Sequence, residues 1–435
     1  MNLKNPVIVN LDLLFIMKYS QYNVIHTDGT STWIFNTLTN AFVKIENPTY
    51  EAIWNDAEID TRKVLLAQGI LTEELNENLI YKYKYYRHAF NNQRLHLCIA
   101  PVMICNFSCF YCFEEGNKNL PIMADDVEEA IIQYIENNKE NQLSINWFGG
   151  EPLLGFDRIV SIANKLNEKK IKFSSSMVTN GSLLTKDKIE KLNLLHLSHI
   201  QISLDGLADI HDKRRYFKSG APSFEVILSN IDNLLKMTSI PLHIQVTIDK
   251  TNNTAFDDIL ILFKRKYPNL TDNRIKIGCN FVQDRTGFEQ NSVCYTNDDI
   301  FKQKVENLKL GKRNDLTPFL PNLAQPCMYR CLKTFCIDPS GDMYKCLEHL
   351  GNPNYKIGNV LEKKISQRKI VMTTFQEDPF EDNECLACKV FPVCGGGCPI
   401  DRIKKGKGED VDCCSIYKTK LAEMLPYLYE YRYNK

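Results

Sequence analysis

The chain has 435 residues, 44% hydrophobic and 24% charged, the balance of an ordinary globular protein spread over two or three domains. Lys plus Arg and Asp plus Glu both number 53, so the formal charge is zero and leaves no electrostatic footprint for nucleic acid or an anionic membrane. Asn10 and Asp12 interrupt the N-terminal apolar run, and no uncharged stretch reaches the ~18 residues that span a bilayer, so a cytoplasmic protein is expected.

Residues 1–90 hold no cysteine and read as a small mixed domain. Tyr22–Ile25, Thr32–Phe35 and Ala41–Ile45 predict three short strands, with Asp28-Gly29 as one turn and Asn36–Asn40 as a second. Helices are expected over Pro48–Trp54 and Asp60–Ala67, the latter closed by Gly69. Leu71–Tyr85 is charged, with tyrosines towards its end, and reads as the lead into the next domain.

Further on, Leu95–Ile99, Leu143–Trp147, Lys172–Thr179, His199–Leu204, Pro241–Thr247 and Ile275–Phe281 read as strands with helical patterns between them. Val127, Ala130, Ile131, Tyr134 and Ile135 recur at helical spacing between Asp125 and Asn138. Phe224, Ile227, Leu228, Ile231, Leu234 and Leu235 do so before Met237, with Ser223 as the expected N-cap. Strand then helix, six times, points to a parallel βα architecture short of a full eight-stranded barrel. Periodicity alone leaves an open barrel and a doubly wound sheet both standing. From about Pro318 the pattern fails, and short segments between cysteines, with Gly395-Gly396-Gly397 among them, predict a loop-rich domain stapled by metal.

The sixteen cysteines are unevenly placed: none before Cys98, four up to Cys112, then Cys279 and Cys294, and ten from Cys327 to Cys414. A reducing cytosol disfavours disulfides, so two separate metal-binding regions are implied. In the first, Cys105-Asn106-Phe107-Ser108-Cys109-Phe110-Tyr111-Cys112 follows the first βα strand, where such folds place their chemistry. Three thiolates can ligate three irons of a cubane cluster and leave the fourth open. Zinc normally takes a fourth protein ligand, and none follows closely, but spacing alone leaves both metals open.

The Cys105-x3-Cys109-x-Tyr111-Cys112 run resembles the signature of the radical S-adenosylmethionine (SAM) superfamily. The resemblance continues in order through Trp147-Phe148-Gly149-Gly150-Glu151-Pro152, Val178-Thr179-Asn180-Gly181 and Ile202-Ser203-Leu204-Asp205-Gly206, followed by His211-Asp212-Lys213-Arg214-Arg215. It implies a [4Fe-4S] cluster on Cys105, Cys109 and Cys112, with Tyr111 beside the adenine. It also implies Gly149, Gly150 and Glu151 at the methionine moiety, and Ser203 and Arg215 at the ribose and carboxylate. Two glycines let a backbone lie against a ligand, and a guanidinium can bind both oxygens of a carboxylate. A surface salt bridge is the plainer reading of Asp205 and Arg215.

In the second region, Gly341-x4-Cys346 and Cys385-x2-Cys388-x5-Cys394-x3-Cys398, then Cys413-Cys414, resemble the SPASM extension of radical enzymes that modify peptides. That extension carries two auxiliary clusters. By this resemblance one uses Cys327, Cys331, Cys346 and Cys398, and the other Cys385, Cys388, Cys394 and one of Cys413 or Cys414. Three [4Fe-4S] clusters are then expected. Cys336 and the doubled Cys413-Cys414 depart from the pattern, while Cys98, Cys279 and Cys294 read as buried structural thiols.

The resemblance therefore implies an α/β fold: a partial (β/α)6 barrel over 91–315, a small α+β domain over 1–90, and a loop-rich iron–sulfur domain over 316–435. The implied activity is a SAM-dependent radical oxidoreductase that matures a ribosomally made precursor peptide by an oxidative cross-link, a thioether or carbon–carbon bond. The implied partners are that peptide with its leader and a low-potential donor such as ferredoxin or flavodoxin. The N-terminal three-stranded segment resembles small leader-recognition domains, against which stands a plain structural extension. The nearest rival is an anaerobic sulfatase-maturing enzyme that oxidises Cys or Ser to formylglycine. In that family an aspartate directly follows the Gly-x4-Cys cysteine; Leu347 and then Glu348 follow Cys346 here. A zinc scaffold or an electron-transfer protein would leave the Gly149-Gly150-Glu151 segment without a purpose.

Overall fold

Turn chemistry and alternating β-branched and aromatic residues build the N-terminal sheet. A computed structural model describes residues 17–46, 59–73, 76–91, 93–112, 114, 120, 122–138, 142–269, 274–282, 293–310, 326–362 and 366–433. Strand β1 (Lys18–Tyr19) precedes β2 (Asn23–Thr27), β3 (Ser31–Asn36) and β4 (Phe42–Glu46), the last three forming an antiparallel sheet in that order. At the first turn the Asp28 carboxylate accepts from the amides of Thr30 and Ser31, and Gly29 takes φ +87°. Helix α1 (Ile59–Ala67) leads to β5 (Leu71–Thr72), which pairs with β1. The helix expected over Pro48–Trp54 lies outside the described residues.

The tyrosine-rich lead is itself helical: α2 (Glu77–Ala89) starts at Asn76, whose side chain accepts from the Asn78 amide. Its buried stripe is Tyr81, Tyr85 and Ala89, an i, i+4, i+8 face whose members are weakly hydrophobic by composition. That face packs on Phe380 and Phe391, the Tyr81 and Phe391 rings meeting edge to face at 4.8 Å.

Six strands, β6 (Arg94–Ile99), β7 (Gln142–Trp147), β8 (Phe173–Thr179), β9 (Leu197–Leu204), β10 (Leu242–Ile248) and β11 (Ile275–Phe281), then pair in parallel in chain order. Between them run α3 (Asp125–Asn138), α4 (Phe156–Glu168), a short α5 (Ala208–Arg214), α6 (Phe224–Met237) and α7 (Ala255–Lys266). Leu97, Ile145, Met177, Ile202 and Val246 face these helices in one continuous core. Alternation turns Cys98, Asn146, Ser176, Ser203 and Gln245 to the opposite, polar face. The strands are open rather than closed on themselves: beyond β6 the sheet continues into β12 (Thr334–Ile337), parallel to it, then antiparallel β13 (Asp342–Tyr344) and β14 (Gly358–Asn359). This nine-stranded mixed α/β sheet is a partial barrel extended by residues that follow position 316.

Ser223 holds the N-cap position of α6 but makes no side-chain cap hydrogen bond. Its hydroxyl is drawn away by His211 Nε2 at 3.1 Å and by the carbonyl of Arg215, while Asp212 Oδ1 accepts from the amides of Ser223 and Phe224. Helix α8 (Asn297–Lys309) follows β11, and α9 (Pro399–Gly406) and α10 (Tyr417–Tyr433) end the chain. Leu421, Met424, Leu425 and Leu428 of α10 bury against Val24, Trp33 and Phe35, so the last helix covers one face of the N-terminal sheet. Among the described residues no helix is long and apolar enough to cross a membrane.

Candidate active site

Backbone hydrogen bonds extend the β6–β7 pairing past the strand ends and carry the cysteine loop. Phe148 N donates to Ile99 O, Gly150 N to Val102 O (3.3 Å) and Glu151 N to Ile104 O (2.9 Å). A Cβ on Gly150 would lie 2.3 Å from both the Met103 and Ile104 carbonyl oxygens, and one on Gly149 would lie 2.2 Å from Val102 O. The two glycines thus let residues 147–151 run directly beneath the segment that ends in Cys105. The space beside their Cα atoms is filled by chain, a role distinct from the ligand contact expected of them.

Glu151 is fully buried, and its carboxylate accepts from Leu153 N, Thr179 Oγ1 (2.7 Å) and Asn180 N (2.7 Å). Burial pushes its pKa up, against these donors. It ties the third βα loop to the second. Asn180 Nδ2 then donates to Asn106 Oδ1 at 2.8 Å and approaches Cys105 Sγ at 3.9 Å. On the other side Ser108 N donates to Tyr216 O, Lys218 N to Asn106 O, and Phe107 packs edge-on against Phe217 at 4.9 Å. The loop is thereby anchored without its thiols. Cys105, Cys109 and Cys112 are all half-buried and free of disulfides, and burial pushes the Cys105 thiol up to about 11.

Tyr111, Asp205 and Arg215 form one group. Tyr111 OH donates to Asp205 Oδ1 (2.8 Å) and accepts from Arg215 Nη1 (2.7 Å). Asp205 is buried and also pairs with Arg214 Nε at 2.9 Å, while Arg214 reaches Asp249 at 2.8 Å. Burial raises the Asp205 pKa, opposed by Arg215 and Arg214. Neither Asp205 nor Arg215 is a surface salt bridge. Among the described residues Arg215 Nε is buried with no hydrogen-bond partner, a donor available to a ligand carboxylate. Ser203, on the polar face of β9, lies in register with Gln245.

His211 holds this group from behind, accepting from Asp205 N at 3.2 Å while its other nitrogen meets Ser223 Oγ. Burial, then Arg215 and Arg214, lower its pKa to about 3. The unfolded chain binds a proton at His211 below its ordinary pKa of 6.5, and the folded one does not until about 3. Stability from this residue is therefore complete above 6.5 and is lost as pH falls through that window. We expect His211→Asn to flatten the decline of the urea midpoint between pH 7 and pH 5; an unchanged decline would remove His211 as its source.

The C-terminal cysteines gather around two buried arginines that the sequence did not single out. Arg330, between Cys327 and Cys331, donates to the carbonyls of Thr374, Gln376 and Glu377. Arg402, one turn after Cys398, donates to the same Glu377 carbonyl (3.1 Å), to Asp382 (2.9 Å) and to Cys385 Sγ (3.4 Å). Gly395, Gly396 and Gly397 all have positive φ, and a Cβ on Gly397 would lie 1.6 Å from Cys413 O, so the triple glycine seats the chain on Cys413. Cys413 is buried, whereas Cys414 is half-buried and accepts from Lys418 Nζ at 3.5 Å. Cys336 stands directly across from Cys98 in β6, both thiols fully within a core that includes Ala100, Met103 and Tyr344. Cys279 is likewise buried and Cys294 half-buried. Among the described residues no three His, Cys, Asp or Glu side chains converge closely enough for a single metal ion. The donors in these loops are thiols, the ligands that iron–sulfur clusters take.

Loops over the C-terminal strand ends, one carrying three thiols and another an unpartnered arginine N–H, define a βα cofactor enzyme. A family profile described as the radical SAM superfamily matches residues 99–261. An uncharacterized protein of Methanocaldococcus jannaschii is 33% identical over 310 residues, 65% of this chain and 98% of the relative. A cysteine-type anaerobic sulfatase-maturating enzyme of Clostridium novyi is 27% identical over 350 residues, 72% of this chain and 90% of the relative. Among solved structures, Streptococcus suis SuiB bound to its precursor peptide SuiA aligns with TM-score 0.53 and 16% identity over 88% of this chain and 95% of SuiB, a likeness of fold. The chain belongs to the radical SAM superfamily, whose enzymes use a [4Fe-4S] cluster and SAM.

Proposed function

We propose that this enzyme matures a ribosomally made peptide by an oxidative cross-link, a thioether or a carbon–carbon bond. Position 347 carries the reading: Leu347 stands where the sulfatase-maturing pattern has its aspartate, and the nearby Glu348 is exposed. The sulfatase-maturating relatives favour a second reading, oxidation of a peptide Cys or Ser to formylglycine. Both act on a peptide. Mass spectrometry of a short Cys- or Gly-rich peptide from a neighbouring reading frame separates them. A cross-link removes two hydrogens with all sulfur retained, whereas formylglycine from Cys exchanges sulfur for oxygen with loss of two hydrogens. Formylglycine from Ser loses two hydrogens at one residue, leaving an aldehyde that hydroxylamine traps and a cross-link lacks.

When bound, the reduced cluster with SAM supplies a 5′-deoxyadenosyl radical able to abstract hydrogen from an unactivated carbon. Cys105, Cys109 and Cys112 would hold that cluster, and Arg215 would turn its free Nε to the SAM carboxylate while Tyr111, fixed by Asp205, orients its ring. Gly149 and Gly150 floor the cysteine loop, Ser203 on the polar face of β9 would contact the ribose, and Glu151 acts through Thr179 and Asn180. Cys327, Cys331, Cys346 and Cys398 would hold one further cluster. The shared Glu377 carbonyl under Arg330 and Arg402 supports bringing Cys398 to the first two. Cys385, Cys388 and Cys394 with Cys413 or Cys414 would hold the third. The domains would be 1–90, 91–315 and 316–435. In the first, the outer strands β2 and β4 offer edges to which a leader could add. A low-potential ferredoxin or flavodoxin in the cytoplasm would supply electrons.

The C-terminal clusters serve steps after radical formation. Cys385→Ala/Cys388→Ala is expected to keep making 5′-deoxyadenosine yet yield little or no modified peptide. Circular dichroism must first show a folded domain, since metal binding there is coupled to folding. Product at the wild-type rate from a folded double variant would remove this role.

A further inference from the structure

Lys345 sits at the end of β13, immediately before Cys346, and only 2% of it is exposed. Its Nζ donates to the carbonyls of Cys331 and Thr334, the latter at 2.9 Å, and lies 4.7 Å from the centre of the Phe335 ring. Two carbonyl dipoles and one ring face solvate the ammonium without neutralising it. The acids on the flanking strands are engaged elsewhere: Asp338 accepts from Tyr344 OH, and Asp342 pairs with Lys356. Among the described residues no carboxylate forms an ion pair with Lys345. The titratable groups nearest in kind to a counter-charge are thiols: Lys345 donates to the carbonyl of Cys331, directly precedes Cys346, and would gain from negative charge on Cys331, Cys336 and Cys327.

Burying an ion is costly unless an opposite charge compensates it. Neutral thiols would leave Lys345 uncompensated, whereas thiolates on iron carry the missing negative charge. Cys336 is already occupied against Cys98 in the core, which leaves Cys327 and Cys331, and Cys346 is the residue that follows Lys345 in the chain. We propose that Lys345 is a built-in counter-cation for the iron–sulfur cluster held by Cys327, Cys331, Cys346 and Cys398, and that it raises that cluster's reduction potential. The inference rests on the cluster reading above and deepens it. Reduction adds negative charge, so a cation fixed against the Cys331 carbonyl would stabilise the reduced form more than the oxidised one. The competing role is mechanical, a staple across the 331–334 turn.

An anaerobic redox titration of the holoenzyme, followed by electron paramagnetic resonance, tests this. The relevant signal is the one that Cys331→Ala removes from otherwise wild-type protein; if there is none, the cluster reading itself falls, before Lys345 is varied. In Lys345→Met that signal's midpoint should move down by at least tenfold in the reduced-to-oxidised ratio, about 59 mV for one electron. Iron content and the other midpoints should hold, and Lys345→Arg should stay within about threefold of wild type. Loss of this cluster in Lys345→Met but not in Lys345→Arg supports the proposal equally, because charge is what separates the two. A Lys345→Met midpoint within threefold of wild type, equal shifts in both variants, or loss of the cluster in both would overturn it in favour of the staple.

Discussion

Replacing Cys105, Cys109 and Cys112 together with Ala abolishes reductive cleavage of SAM, while the protein stays folded and keeps roughly two thirds of its iron. The loop survives because its anchors are elsewhere: Phe107 is in the core, Ser108 and Lys218 bond backbone to backbone across to 216 and 106, and Asn106 is held by Asn180 and Ser182. None of these contacts needs a thiol. The C-terminal cysteines belong to other loops, so their iron should remain. The assay is 5′-deoxyadenosine by chromatography after dithionite reduction, with iron determined on the same sample. Undiminished 5′-deoxyadenosine from the triple variant would overturn the assignment of this loop. Loss of nearly all iron would show that one cluster, not three, is present.

Much of the barrel was legible because burial on one face imposes a strict two-residue period, which β6 to β11 follow within two residues at either end. The stripe from Val127 to Ile135 likewise marked α3 at its observed bounds. Helix α2 was not legible, since tyrosines form its buried face and read as polar until Phe380 and Phe391 cover them. Strands β12 to β14 are short, and the pairing of β12 with β6 spans more than two hundred residues, which no local pattern reports. The site divides in the same way. Motif cysteines, glycines and Arg215 could be read directly, and Asp205 was visible within its motif. No spacing singles out Arg330, Lys345 or Arg402; only the fold shows that each is buried and what its N–H groups face. The opposition of Cys98 and Cys336 also depends on strand register and has no signal in spacing.

Gly150→Val is the sharper test of how the site is built. The sequence alone suggests a residue lying against SAM, in which case valine would weaken SAM binding and leave iron intact. The structure predicts more. A Cβ at this position meets the Met103 and Ile104 carbonyl oxygens at 2.3 Å and the Ile104 carbonyl carbon at 2.6 Å, all backbone atoms with no rotamer to change. Relief requires residues 102–104 to move away from 150–151, which breaks the bonds from Gly150 N to Val102 O and from Glu151 N to Ile104 O. Cys105 is the next residue and moves with them. Glu151 shifts as well, loosening Thr179 and Asn180, the second support of the same loop. The expected outcome is loss of about a third of the iron, that of the cluster on Cys105, Cys109 and Cys112, together with SAM binding by more than tenfold. Gly150→Ala should act in the same direction, since the clash begins at Cβ. Equilibrium dialysis with labelled SAM and iron analysis on one preparation decide the matter. Full iron with weakened SAM binding would return Gly150 to the ligand surface, and wild-type values for both would mean that the β6–β7 extension yields without disturbing the cysteines.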